Sequence, residues 1–454
     1  MNEPLQQRWY HGITRYQWLV LFIASAGWAF DVFEGQIFVA SMREAMPSLL
    51  GVGKDHELVS KWNDWAFGSF LLGGAFGGVL FGILADRIGR SKTMIFTILF
   101  YSLFTCVTAL AQSPSQMVAL RFLVAMGVGG EWAVASAMVA EVMPKRSRPV
   151  MSSIFHASSV FGTLMAAGVG ATIVGNPGLG ASAWRWGFAI GVVPALLTLL
   201  IRWKLKDPEQ WVKAREVAQQ DANQKTGRLI EIFQGEQLRS TLVGVSLASI
   251  GLVTFWGGHI YGKNALLRHA QQQALATEKV PAKADKATKQ AAYKVHDKEI
   301  KQAEMLSMAL NTIGGGLGLV FFGSISTYLG RKKAFILYHA MAFLMMIFLF
   351  KGLIANNASA LALSLTLPVF GFFTLGMHAG YAVYFPELYP TRLRSTGAGF
   401  CFNMGRLATA AAFFGFGYIT ITDEDKALWL APLYLVGVII VFFARETRDQ
   451  ELPD

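Results

Sequence analysis

Five ionisable residues, Asp31, Glu34, Arg121, Glu131 and Arg406, fall inside long apolar runs of the chain. A charged side chain at a bilayer centre costs about 2.5–3.5 kcal/mol on insertion scales, so these groups facing lipid would together cost on the order of 12–17 kcal/mol, comparable with a whole domain's stability. They are expected to face one another or a wet cavity, which makes them the first candidates for function. Asp31 and Glu34 are three apart and share a helix face. Two carboxyls so placed cannot both ionise cheaply, so the pair could hold and release a proton. Glu131 is a further proton-coupling candidate, or it hydrogen-bonds within the glycine-rich face of Gly127, Gly129 and Gly130. At a rise of about 1.5 Å per residue, Arg121 comes close in depth to Glu34. Arg121 is therefore expected to pair with Glu34 or Asp31, whether to bind substrate or simply to neutralise the helix. Arg406 lies roughly 15 Å along its own run, near the midplane, where a guanidinium can grip a carboxylate bidentately. Arg121 and Arg406, with Trp132, Tyr381 and Tyr384 as ring contacts, form the expected substrate site. His156, His259 and His378 read as packing residues.

These side chains need membrane helices to position them. Of 454 residues, 53% are hydrophobic and 15% charged, against about a quarter charged in a soluble protein. A helix needs roughly 20 apolar residues to cross the hydrocarbon core. Twelve such spans are read, at about 17–40, 64–84, 93–111, 117–140, 150–174, 186–203, 239–261, 304–325, 333–352, 360–384, 396–420 and 427–444. The first is too long and too polar for a signal peptide, and no small-residue cleavage site follows it. The formal charge of +11 gathers in alternate loops, at Arg87, Arg90 and Lys92, at Lys145, Arg146 and Arg148, at Arg331, Lys332 and Lys333, and at Arg392 and Arg394. The intervening "AQSPSQ" and "GNPGLGAS" carry none. This is the positive-inside pattern, with both termini cytoplasmic, and it makes the charge a topology signal rather than a nucleic-acid footprint. Cys106 and Cys401 both fall inside spans, so no disulfide framework is expected.

Two motifs are written twice. "EVMPKRSR" (141–148) returns as "ELYPTRLR" (387–394), and "GILADRIGRSK" (82–92) as "GSISTYLGRKK" (323–333). The nearly equal separations, 246 and 241 residues, imply two six-span halves duplicated in parallel. That is an all-α integral membrane architecture of the major facilitator kind. Each half places a Glu and an Arg at the same surface, Glu141 with Arg90 and Glu387 with Arg331. Asp86, Arg87, Arg148 and Arg394 complete a cytoplasmic gate, unless the arginines only fix topology. As solvent-screened pairs they would contribute about 0–1 kcal/mol each. Thr327 replaces Asp86 and Tyr328 replaces Arg87 in the second copy, so the second clasp is expected to be the weaker.

The resemblance extends over nearly the whole chain. "GILADRIGR" resembles the loop signature of the major facilitator superfamily, and "RFLVAMGVGGEW" (121–132) its fourth-helix signature. "DPEQW" (207–211), "PELYPTRLRSTGAG" and "ETRDQELP" are similar to the sugar-porter-like branch. In "DVFE" (31–34) the chain looks like the proton-coupled aromatic-acid, sialate and nicotinate permeases, which carry acidic residues at these two positions. The resemblance implies symport of a small organic anion with protons.

The expected organisation is an N-terminal half (1–203), a polar cytoplasmic linker (204–238) and a C-terminal half (239–454). An Ala-, Gln- and Lys-rich insertion (263–303) is expected outside, as a solvated helical pair broken near Pro281 or as a lid on the outer mouth. A phosphate-binding "GxxxxGK[ST]" loop, a metal-ligand cluster and a nucleophile motif are all missing from the sequence. The expected protein is a monomeric secondary transporter in the cytoplasmic membrane, without cofactor, metal or enzymatic activity, whose partners are substrate, protons and lipid. A porter of sugars or other neutral solutes, a drug:proton antiporter and a transporter-like sensor are the alternatives.

Overall fold

The computed structural model describes residues 8–53, 56–174, 176–221, 224–281, 283–417 and 423–454. The end of the eleventh expected span, 418–420, lies outside them. Every regular element among the described residues is helical. The first part of the chain forms α1 (Arg15–Leu50), α2 (Glu57–Ile88), α3 (Arg90–Thr108), α4 (Pro114–Val142), α5 (Arg148–Ala157) and α6 (Ser159–Val169), then α7 (Ala183–Ala189) and α8 (Leu197–Lys204). The linker holds α9 (Glu209–Gln220). Beyond it come α10 (Gly235–Thr254), α11 (Ile260–Gly262), α12 (Ala265–Thr277), α13 (Lys286–Val295), α14 (Asp297–Leu329), α15 (Arg331–Ile347), α16 (Ala360–Thr374), α17 (Ala379–Tyr384), α18 (Arg394–Gly417), α19 (Asp423–Leu430) and α20 (Pro432–Phe443).

Local chemistry sets these boundaries. Thr14 and Gln17 close a capping box on α1, and Ser113 caps α4 with Pro114 at its first position, where the missing N–H costs nothing. Gly89 (φ 112°) and Gly330 (φ 92°) make the sharp α2–α3 and α14–α15 corners in a region that disfavours side chains.

Among the described residues, ten helices are long and apolar enough to cross a membrane. The two expected spans outside that set depart for visible reasons. The sixth is α7 and α8 joined by a 3₁₀ stretch, Ile190–Leu196, that contains Pro194. The eleventh, α18, carries Asn403 and Arg406 along its length.

The duplication is visible in the packing. A β-carbon on Gly73 or Gly77 of α2 would come within 2.1 or 1.9 Å of the carbonyl oxygens of Phe122 and Met126 on α4. Gly314 and Gly318 of α14 meet the Pro368 and Phe372 carbonyls of α16 at 1.9 and 2.0 Å in the same sense. Such small-residue seams let helix backbones approach where lipid supplies no hydrophobic drive.

The stretch read as an insertion holds the two helices α12 and α13, and the first is not simply solvated. α12 rests on α14 and α16 and buries Ala265, Leu266 and Ala274. Ser307 Oγ accepts from the Leu266 amide (3.3 Å) and donates to the Lys263 carbonyl (2.5 Å). Arg268 pairs with Glu424, at the start of α19, at 2.5 Å. The break between α12 and α13 includes Lys279 at φ 55°.

Candidate functional site

Two polar centres occupy the seam between the halves. The first lies at the end of the bundle that carries the echoed motifs. Arg90 Nε and Nη2 donate to both Glu141 oxygens at 3.1 and 2.7 Å. Arg331 repeats the fork on Glu387 at 3.0 and 2.8 Å. Each arginine also donates Nη1 to a carbonyl at the end of the preceding helix, Ala85 or Ser326. Arg148 and Arg394 likewise donate Nε to the Ala140 and Pro386 carbonyls.

Two expectations are corrected here. The clasps are buried, with 0% exposure for Arg90 and Glu141 and 5% for Arg331 and Glu387, so they are not weak surface pairs. The second clasp has the same bidentate geometry as the first; the inequality lies in what crosses between the halves. Glu141 Oε1 also accepts from Arg394 Nη1 of the other half at 2.8 Å. Arg90 Nη2 reaches the Thr391 carbonyl at 2.9 Å. Asp86 pairs with Arg90 at 2.8 Å and caps α18, accepting from the Ser395 and Thr396 amides at 3.2 and 2.8 Å and the Thr396 hydroxyl at 2.6 Å. Thr327, at Asp86's repeat position, instead donates to the Gly323 carbonyl of its own helix. Arg87 does not join the network. It is exposed, with its stem against Gly227 of the linker.

Sequence reasoning missed the carboxylates that hold the corners. Asp207 Oδ1 accepts from the Ser91 amide at 2.8 Å, and Glu446 accepts from the Arg331 and Lys332 amides at 2.9 and 3.1 Å. An acid at a helix N-terminus satisfies free N–H groups and the helix dipole. The signal was the position of "DPEQW" and "ETRDQELP" after the sixth and twelfth spans, one near-period apart. The linker is also more engaged than its polarity suggested: Trp211 is buried and donates to the Asp86 carbonyl at 2.9 Å.

The second centre lies deeper. Asp31, Glu34, Arg121 and Glu131 are each 0% exposed. Arg121 does reach Glu34, but its Nη2 donates to the backbone carbonyl at 3.2 Å. Its guanidinium sits between the Phe38 and Phe70 rings, 4.8 and 4.5 Å from their centroids. Among the described residues no ion pair joins it to either carboxylate, which corrects the expected pairing. The Glu34 carboxylate turns toward Gly191, where a β-carbon would lie 3.0 Å from Oε1. Glu131 accepts from Thr97 Oγ1 at 2.5 Å, and its other oxygen faces Gly27 of α1.

Neither oxygen of Asp31 has a partner at full hydrogen-bond geometry within the protein, and the Tyr101 hydroxyl is the donor that faces them. Asp31 is in electrostatic range of Glu131, Glu34 and Arg406. Arg406 comes from the other half, with Nη1 unpartnered and the Phe402 ring 5.6 Å from its guanidinium carbon. Three buried carboxyls thus stand near two guanidiniums, Glu34 beside Arg121 and Asp31 beside Arg406. Such a set can exchange protons, and Arg406 has a free donor for an anion.

Trp132 forms an aromatic floor between the two centres, stacked on Phe402 of the other half at 3.9 Å and donating to His156 Nδ1 at 3.2 Å. Tyr381 is buried and spends its hydroxyl on the Leu247 carbonyl at 3.0 Å. Tyr384 is displaced from the expected site: its hydroxyl donates to the Arg445 carbonyl at 2.7 Å, at the motif end. His259 joins Thr374 (2.7 Å) and Asn311 (3.1 Å) within the second half.

A helical bundle of two repeated halves, with buried charges on their seam, is the architecture of a membrane transporter. The chain belongs to the sugar (and other) transporter family of the major facilitator superfamily, whose model matches residues 17–242 and 319–453. The unmatched stretch contains the insertion. The chain is 27% identical to the probable 4-methylmuconolactone transporter of Cupriavidus pinatubonensis, over 91% of this chain and 86% of that protein. It is 26% identical to the cis,cis-muconate transport protein of Acinetobacter baylyi, over 84% and 85%, and 25% identical to the sialic acid transporter NanX of Escherichia coli, over 89% and 87%. The fold is similar to that of the proton:xylose symporter XylE, with a TM-score of 0.73 at 15% identity, covering 96% of this chain and 98% of that one.

Proposed function

We propose that this transporter carries a small organic carboxylate together with protons across the cytoplasmic membrane. The observation that carries the reading is Asp31, buried on one half beside the Tyr101 hydroxyl and in electrostatic range of Arg406 on the other, whose Nη1 has no partner. An ionised Asp31 competes with substrate for Arg406. Protonation of Asp31 removes that competitor and leaves the guanidinium free to grip the substrate's carboxylate. Proton and anion then occupy the seam together, and the pair crosses when the halves rock. Glu34 and Glu131 extend the path of the proton.

All twelve expected spans cross the bilayer in this reading, including α18 and the bent α7–α8 segment. The basic loops put the motif end in the cytoplasm, with both termini there and the insertion outside. The chain works as a monomer. The cross-half links at Asp86, Arg90 and Arg394 hold the cytoplasmic side shut, so access is from outside. The organic-acid names of the relatives support a carboxylate substrate.

Purified protein in proteoliposomes provides the test. Wild type should accumulate a panel acid (cis,cis-muconate, nicotinate, gentisate or sialate) under an imposed inward proton gradient. Asp31→Asn and Glu34→Gln should abolish that accumulation while preserving substrate exchange. Undiminished accumulation in both variants would overturn the assignment of the proton to these residues.

A further inference from the structure

α2 turns Gly74, Gly78 and Gly82 toward α18, and each meets something different. A β-carbon at Gly82 would lie 2.7 Å from the Ser395 carbonyl oxygen, and one at Gly78 1.9 Å from the Asn403 amide nitrogen. At Gly74 it would lie 2.2 Å from Arg406 Nη1 and 3.1 Å from both Cδ and Cζ of the same residue. The nearest obstacles at Gly74 therefore all belong to one flexible side chain from the other half. At Gly73 and Gly77 the obstacles are backbone of α4, where a methyl group would force helices apart. Helix packing explains glycine at 73 and 77, whereas at 74 the group that needs the space is the guanidinium.

We infer that Gly74 is a positioning residue for substrate: bare α2 backbone forms the seat on which Arg406 is set for an incoming carboxylate. The inference rests on the reading of Arg406 as the substrate's clamp. Alanine at 74 would drive Nη1 back by roughly 1 Å to reach ordinary contact distance, while a bidentate site must be held to within about 0.5 Å. The contacted atoms belong to a flexible side chain that can swing aside at the cost of its aim, so the variant should fold and bind poorly. Lysine at 406 keeps the looser Cδ contact but has no forked head to collide with the methyl group, and loss of the seat should matter less to it.

A double-mutant cycle on the full chain tests this, because coupled residues depart from additivity. Binding of cis,cis-muconate, nicotinate, gentisate and sialate would be measured by titration for wild type, Gly74→Ala, Arg406→Lys, the double variant and Arg406→Ala, with Tm for each. Gly74→Ala should weaken binding at least tenfold without lowering Tm, and in the Arg406→Lys background it should add less than a twofold loss. Multiplying losses, unchanged binding in Gly74→Ala, or a Tm drop as large as that of Gly77→Ala would each overturn the role of Gly74. Loss of binding in Arg406→Ala but not in Gly74→Ala would leave the clamp standing and remove only its seat. Wild-type affinity in Arg406→Ala, or no binding by wild type, would remove the clamp and the seat together.

Discussion

Arg394 Nη1 stands 2.8 Å from Glu141 Oε1, across the boundary between the halves. Its repeat counterpart, Arg148, ends on the Ala140 carbonyl of its own half. With the Asp86 cap on α18, this makes the closed end one-sided. The links run from both motifs of the first half to the second half's "ELYPTRLR" copy; in the opposite sense Arg148 is only in electrostatic range of Glu387, and Lys145 makes an exposed pair with Glu451 at 3.2 Å.

Neutralising Asp86 should therefore open this end more than any change at Thr327. In Asp86→Asn one oxygen still accepts from α18, but the charge opposite Arg90 and the helix dipole is gone. A single cysteine at Ser136, buried on α4 above the motifs, should react several-fold faster with a thiol reagent applied from the motif end. Thr327→Ala should leave the rate unchanged. Equal effects of the two substitutions would show the closure to be two-sided.

Arg331→Ala should act mainly on stability. Its partner Glu387 is buried, also accepts from Thr447 Oγ1 at 2.5 Å, and would lose its bidentate cation, keeping only the more distant charge of Arg148. Breaking one partner of a buried pair costs about 3–5 kcal/mol. Thermal unfolding in detergent should show a large fall in Tm, while labelling at Ser136 changes less than in Arg90→Ala, where a cross-half link is also lost.

Arg121→Lys keeps the charge and loses the planar group held between Phe38 and Phe70. A desolvated cation–π contact is worth about 2 kcal/mol, and the flexible ammonium fits the Glu34 carbonyl less well. The expected result is a lower Tm with binding of a panel acid weakened less than in Arg406→Ala. The reverse order would make Arg121 the anion's partner.

The insertion offers a test of sidedness. Lys279 and Lys283 flank Pro281 in the break between α12 and α13 and are exposed. Trypsin should cut there in right-side-out vesicles and not in sealed inside-out ones. Arg268→Ala should speed the cut, since the Glu424 pair that anchors α12 contributes no more than about 1 kcal/mol at a part-exposed position. Cleavage only in inside-out vesicles would reverse the assigned topology.

Periodicity and repetition made much of this molecule legible from its sequence. The doubled motifs located both Glu–Arg forks because each is local to its own half, where duplication preserves geometry. Burial of Asp31, Glu34, Arg121 and Glu131 followed from the cost of charge in lipid. Pairing did not follow, because helix rotation decides whether Arg121 meets the carboxylate of Glu34 or its carbonyl, and depth alone carries no such information. Tyr384 was misplaced for a related reason: α17 is short and gives way to a 3₁₀ turn at Phe385–Leu388, which carries the ring to the motif end. The role of Gly74 was invisible because an empty space has meaning only once the side chain that fills it is known.

Pro149 gives the unequal closure a second cause. It stands at the repeat position of Ser395, at the start of α5, and proline has no N–H to offer. An aspartate restored at 327 would find only part of the cap that Asp86 enjoys on α18. Giving the second half the first half's full cap therefore takes two substitutions, because the aspartate alone would meet one amide where Asp86 meets two. The lock on one seam is thus tunable by a single residue, whereas a like lock on the other needs both of its ends rebuilt together.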